Sequence, residues 1–237
     1  MKSMGIALSV MCLSAVSSNA QELRIGYLST LTGPSVVLGR AMENGWKLGL
    51  QDNGWTKDGD KLGGVPTRIF YGDDQMKTDS AVNAVEKMIK NDKAQLIVGV
   101  IWSNVLVAIS KPIFEANVGL ITTNAGATPL AGELCNPLFV ATAAQNDQKS
   151  ESIAALMDRE GIKTVFALVP NYQSGRDYLS GFERVFKGKI VDRLFFKFGE
   201  SDFQAELSKV RAVKPEAVYL FAPGAMGIAF MKQWTAS

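Results

Sequence analysis

The chain has 237 residues and a nearly balanced charge, with 25 Lys and Arg against 23 Asp and Glu, a formal net charge of +2, and no histidine. Because no basic stripe is present, nucleic acid is not expected as a partner. The lack of histidine excludes Ser-His-Asp catalysis, Cys-His catalysis and imidazole-based zinc sites.

Residues 1–20 have the pattern of a secretory signal peptide. The start is positive, residues 5–16 form a short apolar stretch, and Ser18-Asn19-Ala20 places small side chains where a signal peptidase reads them. The apolar stretch is too short to span a membrane. We expect cleavage after Ala20 and export of the chain; the alternative is a buried first helix.

From residue 23 to 122, short apolar and β-branched runs alternate with helical patterns. The strands are too apolar to have one face in water, which is typical of a parallel sheet covered by helices on both sides. The most regular helix is the one that follows Thr78, and Asp74 and Thr78 are the candidate caps at its start. The predicted elements are strands at Leu23–Tyr27, Thr67–Tyr71, Leu96–Ile101 and Leu120–Thr122, and helices at 38–51, after Thr78 and at 103–116.

The same alternation starts again at Asn146, after a crossing segment at 139–147 in which Asn146 or Asp147 would cap the next helix. The predicted elements are helices at 146–159, 174–186, 203–212 and from Met226, and strands at Val165–Val169, Ile190–Phe196 and Val218–Phe221. We therefore predict an α/β fold of two doubly wound parallel-sheet lobes joined by a hinge, at residues 21–141 and 142–237. The second lobe is incomplete because the chain stops inside a helix, so we expect a fragment or a truncated form of a longer protein.

Trp102 and Ser103 stand between the third predicted strand and its helix. In an open parallel sheet, ligands bind beyond the carboxyl ends of the strands. The Ser103 hydroxyl and the free N–H groups of the first helical turn would form a site for a carboxylate, since helix starts carry partial positive charge. Two plainer interpretations stay open, in which Ser103 caps its helix and Trp102 packs in the core.

Two acidic pairs bear on other chemistries. Asp73 and Asp74 are either paired carboxylates for acid–base work, or a turn residue and a cap at a strand end. Asp58-Gly-Asp60 lacks the rest of an EF-hand loop and is interpreted as a surface loop, so we predict no metal site. The sequence has no dinucleotide-binding glycine motif, phosphate-binding loop or nucleophile elbow, so we expect no cofactor.

Several stretches occur in an order that resembles a known family. They are LRIGYLSTLTGPSVVLG, FYGDDQMKTDSAVNAVEKMI, IVGVIWSNVLVA, TTNAGATPL, VPNYQSGRD and FMKQW. The series is similar to the Leu/Ile/Val-binding family, the type I periplasmic solute-binding proteins of ABC importers, and the resemblance runs from Leu23 to the last residue. It implies a periplasmic protein whose two lobes close by a hinge on a small carboxylate or amino acid. It also implies an inner-membrane ABC permease as partner, a monomeric state, no cofactor and no enzymatic activity.

The resemblance also implies roles for individual residues. Ser103 matches the serine that holds the ligand carboxylate, and Tyr172 matches the tyrosine that closes over the ligand from the second lobe. Ala127 stands where relatives often have threonine, and an acidic partner for a ligand ammonium would lie beyond Ser237. The residues placed at the ligand are Ser103, Trp102, Ala125, Gly126, Ala127, Tyr172, Leu38, Phe221 and Gly224.

Departures from the family pattern bear on the ligand, because relatives bind branched-chain amino acids, amides, urea or aromatic carboxylates. The lost hydroxyl at Ala127, the small residues after Phe221 and the ring of Trp102 suit a bulkier acid. Trp102 and Tyr172 would then stack on an aromatic ring. We predict a binding component that delivers a small organic acid to its permease. The alternatives are an exported α/β enzyme acting on a small amide or ester, and the sensing lobe of a receptor.

Overall fold

The computed structural model describes residues 22–236, so the predicted signal peptide lies outside the described residues. The strands are β1 Leu23–Ser29, β2 Lys61–Leu62, β3 Val65–Asp73, β4 Leu96–Gly99, β5 Gly119–Thr122, β6 Phe139–Ala141, β7 Thr164–Pro170, β8 Lys189–Phe196 and β9 Ala217–Leu220. The helices are α1 Val36–Asp52, α2 Thr78–Lys90, α3 Ser103–Glu115, α4 Asn146–Arg159, α5 Gln173–Val185, α6 Gln204–Val213 and α7 Ala225–Thr235, with a 3₁₀ turn at Thr128–Ala131. Within this range no helix has both the length and the apolar character needed to cross a membrane.

The first sheet has six strands in the order β2-β3-β1-β4-β5-β6. Its pairs are parallel apart from the short β2–β3 hairpin. β1 lies in the middle, where Tyr27 pairs with Tyr71 of β3 on one side and with Val98 of β4 on the other. Because parallel strands end at the same edge, the loops after β1, β3, β4 and β5 meet there.

The second sheet has three parallel strands in the order β8-β7-β9. The central strand β7 is buried on both faces, with Val165 and Phe166 both fully shielded from solvent, as expected for a strand between two helix layers. The predicted fold class, two parallel-sheet lobes of which the second is partial, is therefore confirmed. The chain passes from one sheet to the other within residues 142–145, and the exact lobe division at residues 141 and 142 stays a prediction.

The structure corrects several details of the sequence analysis. Two short strands, β2 and β6, were not predicted, because two or three residues carry too little pattern to detect. β4 ends at Gly99 rather than at Ile101, since Gly99 and Val100 both have positive φ, +118° and +71°, and leave the extended conformation. The helices α2 and α4 have Lys77 and Gln145 at their N-caps and no side-chain cap hydrogen bond, so the predicted caps at Asp74, Thr78, Asn146 and Asp147 were wrong.

One cluster of buried apolar side chains extends over both sheets. It includes Leu28 and Ile97 on the first sheet and Phe166 and Phe196 on the second, and Trp102 belongs to it. Burial of such side chains supplies most of the favourable free energy of folding, at about 25 cal/mol per Å² of apolar surface. Trp102 therefore packs in the core, as the plainer interpretation had it, and it does so at the place where the two halves meet.

Candidate ligand-binding site

A cavity of about 200 Å³ lies between the two halves, beyond the carboxyl ends of the strands. The first half contributes the start of α1, the start of α3 and the loop after β5, and the second half contributes the first turns of α4 and α5 and the loop after β9. The residues that line it are Leu38, Ile101, Trp102, Ser103, Asn124, Ala125, Asn146, Lys149, Tyr172, Ser174, Tyr178, Phe221, Pro223 and Gly224.

A strained turn between β4 and α3 brings Trp102 and Ser103 to this cavity. Val100 has a left-handed φ of +71°, which is rare for a β-branched residue and costs about 1–3 kcal/mol. Two hydrogen bonds hold it there, from Val100 N–H to the Leu28 carbonyl at 2.9 Å and from Ala125 N–H to the Val100 carbonyl at 3.2 Å. Gly99 precedes it because a Cβ at that position would lie 2.3 Å from the Leu28 carbonyl oxygen. Backbone strain of this kind collects at ligand sites, where the surrounding structure determines the conformation.

Ser103 is the first residue of α3 and is fully buried. The N-cap is Trp102, in extended backbone, and no side chain caps the helix, so the hydroxyl of Ser103 is not used as a cap. Instead that hydroxyl accepts a hydrogen bond of 3.0 Å from Asn146 Nδ2 on α4. The first-turn N–H groups of a helix have no partner within the helix, and they carry partial positive charge. The start of α3 is therefore suited to an anionic group of a ligand.

Trp102 is a core residue that also lines the cavity. Its side chain is 1% exposed, and its Nε1–H donates to Thr30 Oγ1 at 2.8 Å. The indole ring meets Tyr172 edge-on, with centroids 6.3 Å apart, and Phe198 edge-on, with centroids 5.1 Å apart. Edge-to-face pairs of this kind stabilise by about 0.5–1.5 kcal/mol beyond the area that they bury. The two alternatives for Trp102, core residue and cavity wall, are thus both realised.

The second half presents a wall of aromatic rings. Tyr178 and Phe221 stack with centroids 3.7 Å apart and an angle of 9° between their planes. Tyr172 lies nearly parallel to Phe221, at 6.5 Å and 16°. Glycine at 175 lets α5 start close to the end of β7, because a Cβ there would lie 1.8 Å from the Pro170 carbonyl oxygen. That close approach places Tyr172, the N-cap residue of α5, at the cavity.

The charged side chain that lines the cavity is positive rather than negative. Among the described lining residues, the only charged one is Lys149, which lies exposed on α4, and none is acidic. Asp177 lies just outside, where it accepts hydrogen bonds from Asn146 Nδ2 at 2.9 Å and from the N–H of Thr128 at 3.2 Å. Burial raises the pKa of the Tyr172 phenol above its usual 10.0, so this group stays a neutral hydrogen-bond donor.

The acidic pairs singled out in the sequence lie outside the cavity. Asp73 accepts hydrogen bonds from the N–H groups of Leu31 and Gln75 and from the Thr32 hydroxyl, which is the turn role that the sequence offered as an alternative. Asp60 likewise accepts from residues of its own loop, the N–H and hydroxyl of Thr56. Within residues 22–236 no group of three or more Cys, Asp or Glu side chains is placed to hold a metal ion.

Seven of the nine predicted ligand residues line the cavity: Leu38, Trp102, Ser103, Ala125, Tyr172, Phe221 and Gly224. Gly126 and Ala127 do not, because they line a separate hollow of about 220 Å³ next to residues 141–145. The reason is local packing, since a Cβ at Gly126 would lie 2.4 Å from the Ala144 carbonyl oxygen, and the Gly126 carbonyl accepts from Asn146 N–H at 2.9 Å. The chain has therefore turned away from the cavity directly after Ala125.

Several lining residues on the helices of the second half were not predicted from the sequence. Asn146 and Lys149 are three residues apart on α4, and Ser174 and Tyr178 are four residues apart on α5. Side chains at these spacings share one face of a helix, but the sequence does not show that this face turns toward the cavity, because that depends on the packing of α4 and α5. The other missed residues are Ile101, Asn124 and Pro223.

A family model described as periplasmic binding protein matches residues 22–237, which is all of the chain after residue 21. The chain belongs to the periplasmic binding protein family. The chain is 23% identical over 233 residues to Leu/Ile/Val-binding protein homolog 6 of Brucella melitensis, covering 96% of this chain and 58% of that protein. The predicted family resemblance is thereby confirmed, and the chain spans little more than half the length of this relative.

Solved structures show the same relationship. A solute-binding protein of an ABC transporter from R. palustris, in complex with benzoate, is 29% identical with a TM-score of 0.85, covering 91% of this chain and 59% of its own. Another from Rhodopseudomonas palustris BisB5, in complex with 3,4-dihydroxybenzoic acid, is 27% identical with a TM-score of 0.82, covering 91% of this chain and 58% of its own. These relatives are solute-binding proteins rather than enzymes, so the alternative of an exported enzyme is not favoured.

Proposed function

We propose that the protein is the solute-binding component of an ABC importer and that its ligand is a small aromatic carboxylic acid. The observation that carries this proposal is the make-up of the cavity wall. Aromatic rings from both halves face it, those of Trp102, Tyr172, Tyr178 and Phe221, together with a buried serine at a helix start. The lining, over the part of the chain that the structure describes, has no carboxylate.

The acid group of the ligand would lie at the start of α3. There the hydroxyl of Ser103, which is held by a hydrogen bond from the Asn146 amide, lies beside the first-turn N–H groups, and Lys149 adds a positive charge at the same cavity. Hydrogen bonds to a charged group contribute about 1.5–3 kcal/mol each, about twice the value for a neutral pair. A carboxylate, flat and negatively charged, fits such a set of donors.

The ring of the ligand would lie between the walls. A cavity of about 200 Å³ holds a molecule of one aromatic ring and little more. Trp102 offers an edge-on contact from the first half, and the parallel pair of Tyr178 and Phe221 offers a flat face from the second. Both arrangements are favourable for an added aromatic ring.

Among the described residues, the cavity lining offers no carboxylate to the ammonium of an α-amino acid. The ammonium of an amino acid needs an acceptor when it is buried, because an unpaired buried charge is costly. Asp177, a buried carboxylate bonded to the lining residue Asn146, also accepts hydrogen bonds from Thr128 and Gln173. Two relatives above 25% identity were solved with benzoate and with 3,4-dihydroxybenzoic acid bound, and these two structures support an aromatic acid as the ligand.

We also propose that the protein acts in the periplasm after cleavage at Ala20, as a monomer that delivers its ligand to an inner-membrane permease and catalyses no reaction. The family description and the ABC-transporter relatives support this location and partner. Mass spectrometry of the protein purified from cells would identify residue 21 as the first residue, and light scattering would give the mass of one copy. A dimer, or an uncleaved start, would refute the corresponding part.

Calorimetric titration of the whole protein with matched ligands tests the ligand class. Benzoate should bind, cyclohexanecarboxylate should bind more weakly because it has the acid but not the flat ring, and leucine should not bind. At a ligand concentration of about 100 Kd, benzoate should add about 2.7 kcal/mol to the free energy of unfolding.

Three outcomes of this titration would count against the proposal. Tight leucine binding without benzoate binding would replace the ligand class and leave the transport role standing. Equal affinity for benzoate and cyclohexanecarboxylate would remove the role given to the aromatic walls. Turnover of simple aromatic esters or amides, followed by release of the acid, would refute the non-catalytic role.

A further inference from the structure

A short chain of hydrogen bonds holds Trp102 from the side away from the cavity. The indole Nε1–H donates to Thr30 Oγ1 at 2.8 Å, and the Thr30 hydroxyl donates to Asp74 Oδ1 at 2.6 Å. Trp102 is 1% exposed, and Thr30 and Asp74 are fully buried. Neither Thr30 nor Asp74 lines the cavity, so any effect that they have on a ligand is indirect, and these hydrogen bonds link both of them to the lining residue Trp102.

The direction of these bonds fixes the orientation of the indole ring. A threonine hydroxyl has one hydrogen, and because this hydrogen is donated to the Asp74 carboxyl, only lone pairs remain to face Trp102. The indole N–H has one donor direction, in the plane of the ring, so its bond to Thr30 sets that plane. The hydrogen bond from the Thr30 hydroxyl to the carboxyl oxygen is 2.6 Å long, which is in the range of strong, charge-assisted hydrogen bonds.

Burial of the Asp74 carboxyl costs folding free energy. Its Oδ2 is buried without a hydrogen-bond partner among the described residues, and burial raises the pKa of this carboxyl. It is held by Met76 N–H at 2.9 Å, in a turn where Gln75 and Met76 both have left-handed φ, 51° and 59°. Asp73 already stabilises this turn through Leu31, Thr32 and Gln75. The Asp74 carboxyl thus accepts one hydrogen bond within the turn, from Met76, and one from outside it, from Thr30.

We propose that Asp74 is a positioning residue for the aromatic end of the ligand cavity, acting through Thr30 to fix the plane of the Trp102 indole. With this plane fixed, Trp102 meets Tyr172 and Phe198 edge-on and keeps the space beside them open for a flat ring. The part of this inference that concerns a ligand rests on the proposed function, whereas the placement of Trp102 does not.

The placement is tested without ligand, by NMR of the ¹⁵N-labelled whole protein. The indole N–H resonance of Trp102 is assigned as the one lost in Trp102→Phe. Thr30→Val and Asp74→Asn should shift this resonance and speed its exchange with solvent. Thr30→Ser, which keeps the hydroxyl, should restore the original resonance. Asp73→Asn is the matched control, because it changes the neighbouring carboxyl, which does not bond to Thr30, and should leave the resonance in place.

The effect on the ligand is tested by a double-mutant cycle with benzoate as probe. Asp74→Asn should weaken benzoate binding about tenfold in the wild-type background. In the Trp102→Phe background the same change should have little further effect, because the residue through which it acts is gone. If Asp74→Asn fails to fold, Thr30→Val takes its place in the cycle.

A Trp102 resonance unchanged in both Thr30→Val and Asp74→Asn would overturn the inference. So would an equal tenfold loss with and without Trp102, since Asp74 would then act by another route. If the resonance shifts as expected but the wild-type protein does not bind benzoate, the ligand class of the proposed function fails while the positioning role of Asp74 stands.

Discussion

The two walls of the cavity are held in place by different kinds of interaction. On the first-half wall, Trp102 and Ser103 are fully buried, and side-chain hydrogen bonds fix both of them. On the second-half wall, Tyr178 and Phe221 are half-buried and are held by face-to-face stacking, with centroids 3.7 Å apart. Hydrogen bonds are directional, whereas stacked rings slide at small cost. Under the proposed function, the first wall would therefore locate the acid group, and the second would provide a flat surface that adapts to the ring.

The largest expected effect is on the free energy of unfolding, and it follows from the different burial of the two walls. Trp102→Ala should lower the free energy of unfolding by about 3–5 kcal/mol, because it empties a fully buried site. Tyr178→Ala removes a half-buried ring and should cost only about 1–2 kcal/mol. Urea unfolding followed by circular dichroism measures both values. Equal losses for the two variants would contradict the claim that the Trp102 side chain is more deeply buried in the core than the Tyr178 side chain.

Substitution of two glycines of α1 tests how closely this helix packs against the loop that supports the first wall. A Cβ at Gly39 would lie 1.7 Å from the Thr30 carbonyl oxygen, so Gly39→Ala should cost about 1–3 kcal/mol and displace the loop that holds Trp102. Gly45 lies on the same helix with no atom near a Cβ position, so Gly45→Ala should stabilise by about 0.4–1 kcal/mol. Thermal unfolding of both variants gives opposite shifts in Tm. Two shifts of the same sign would be inconsistent with this close approach.

Ser103 and Ser174 lie on different walls but accept hydrogen bonds from the same amide. Substituting each serine compares how much the two walls contribute to ligand affinity. Asn146 Nδ2 lies 3.0 Å from Ser103 Oγ and 3.3 Å from Ser174 Oγ. Ser103→Ala should weaken benzoate binding about tenfold, because it removes a hydroxyl at the start of α3. Ser174→Ala should weaken it by only about two- to threefold, since this hydroxyl lies on the stacking wall. Calorimetry measures both, and a larger effect at Ser174 would mean that the acid group binds on the other side.

The sequence predicted the first wall well and the second wall only in part. Trp102 and Ser103 follow a buried strand directly, and the rule that ligands bind at the carboxyl ends of parallel strands leads to them. Tyr172 follows the strand β7 in the same way. By contrast, Asn146, Lys149 and Tyr178 lie inside helices, and their presence at the cavity depends on which helix face the packing of α4 and α5 turns inward. A single sequence does not give that orientation.

Local backbone conformation accounts for other differences. Val100 in left-handed backbone runs against the strong β preference of valine, so no pattern in the sequence would end β4 at Gly99. Gly126 was placed at the ligand from the family resemblance, whereas contact with the Ala144 carbonyl draws it to the other side of the loop. In both places tertiary contacts override what the residue type alone would favour.

The smallest expected effect compares the two neighbouring carboxyls behind the first wall. Burial raises the pKa of Asp73, but hydrogen bonds from Thr32, Leu31 and Gln75 outweigh it, and the net pKa is lowered below 3.8. Its stabilising contribution is therefore present above that value and is lost as the pH falls through the lowered pKa. Burial raises the pKa of Asp74 above 3.8, so its contribution is present below that value and is lost as the pH rises through the raised pKa.

Asp73→Asn and Asp74→Asn should therefore change the pH dependence of stability in opposite directions. Between about pH 3 and pH 7, stability should rise less with pH in Asp73→Asn than in the wild type, and more in Asp74→Asn. Urea unfolding at intervals across this range measures the slopes, and taking slopes rather than single values removes any constant effect of the amide. Slopes that change in the same direction would show that the two carboxyls share one environment, which would conflict with the hydrogen bonds that separate a turn residue from the support of Trp102.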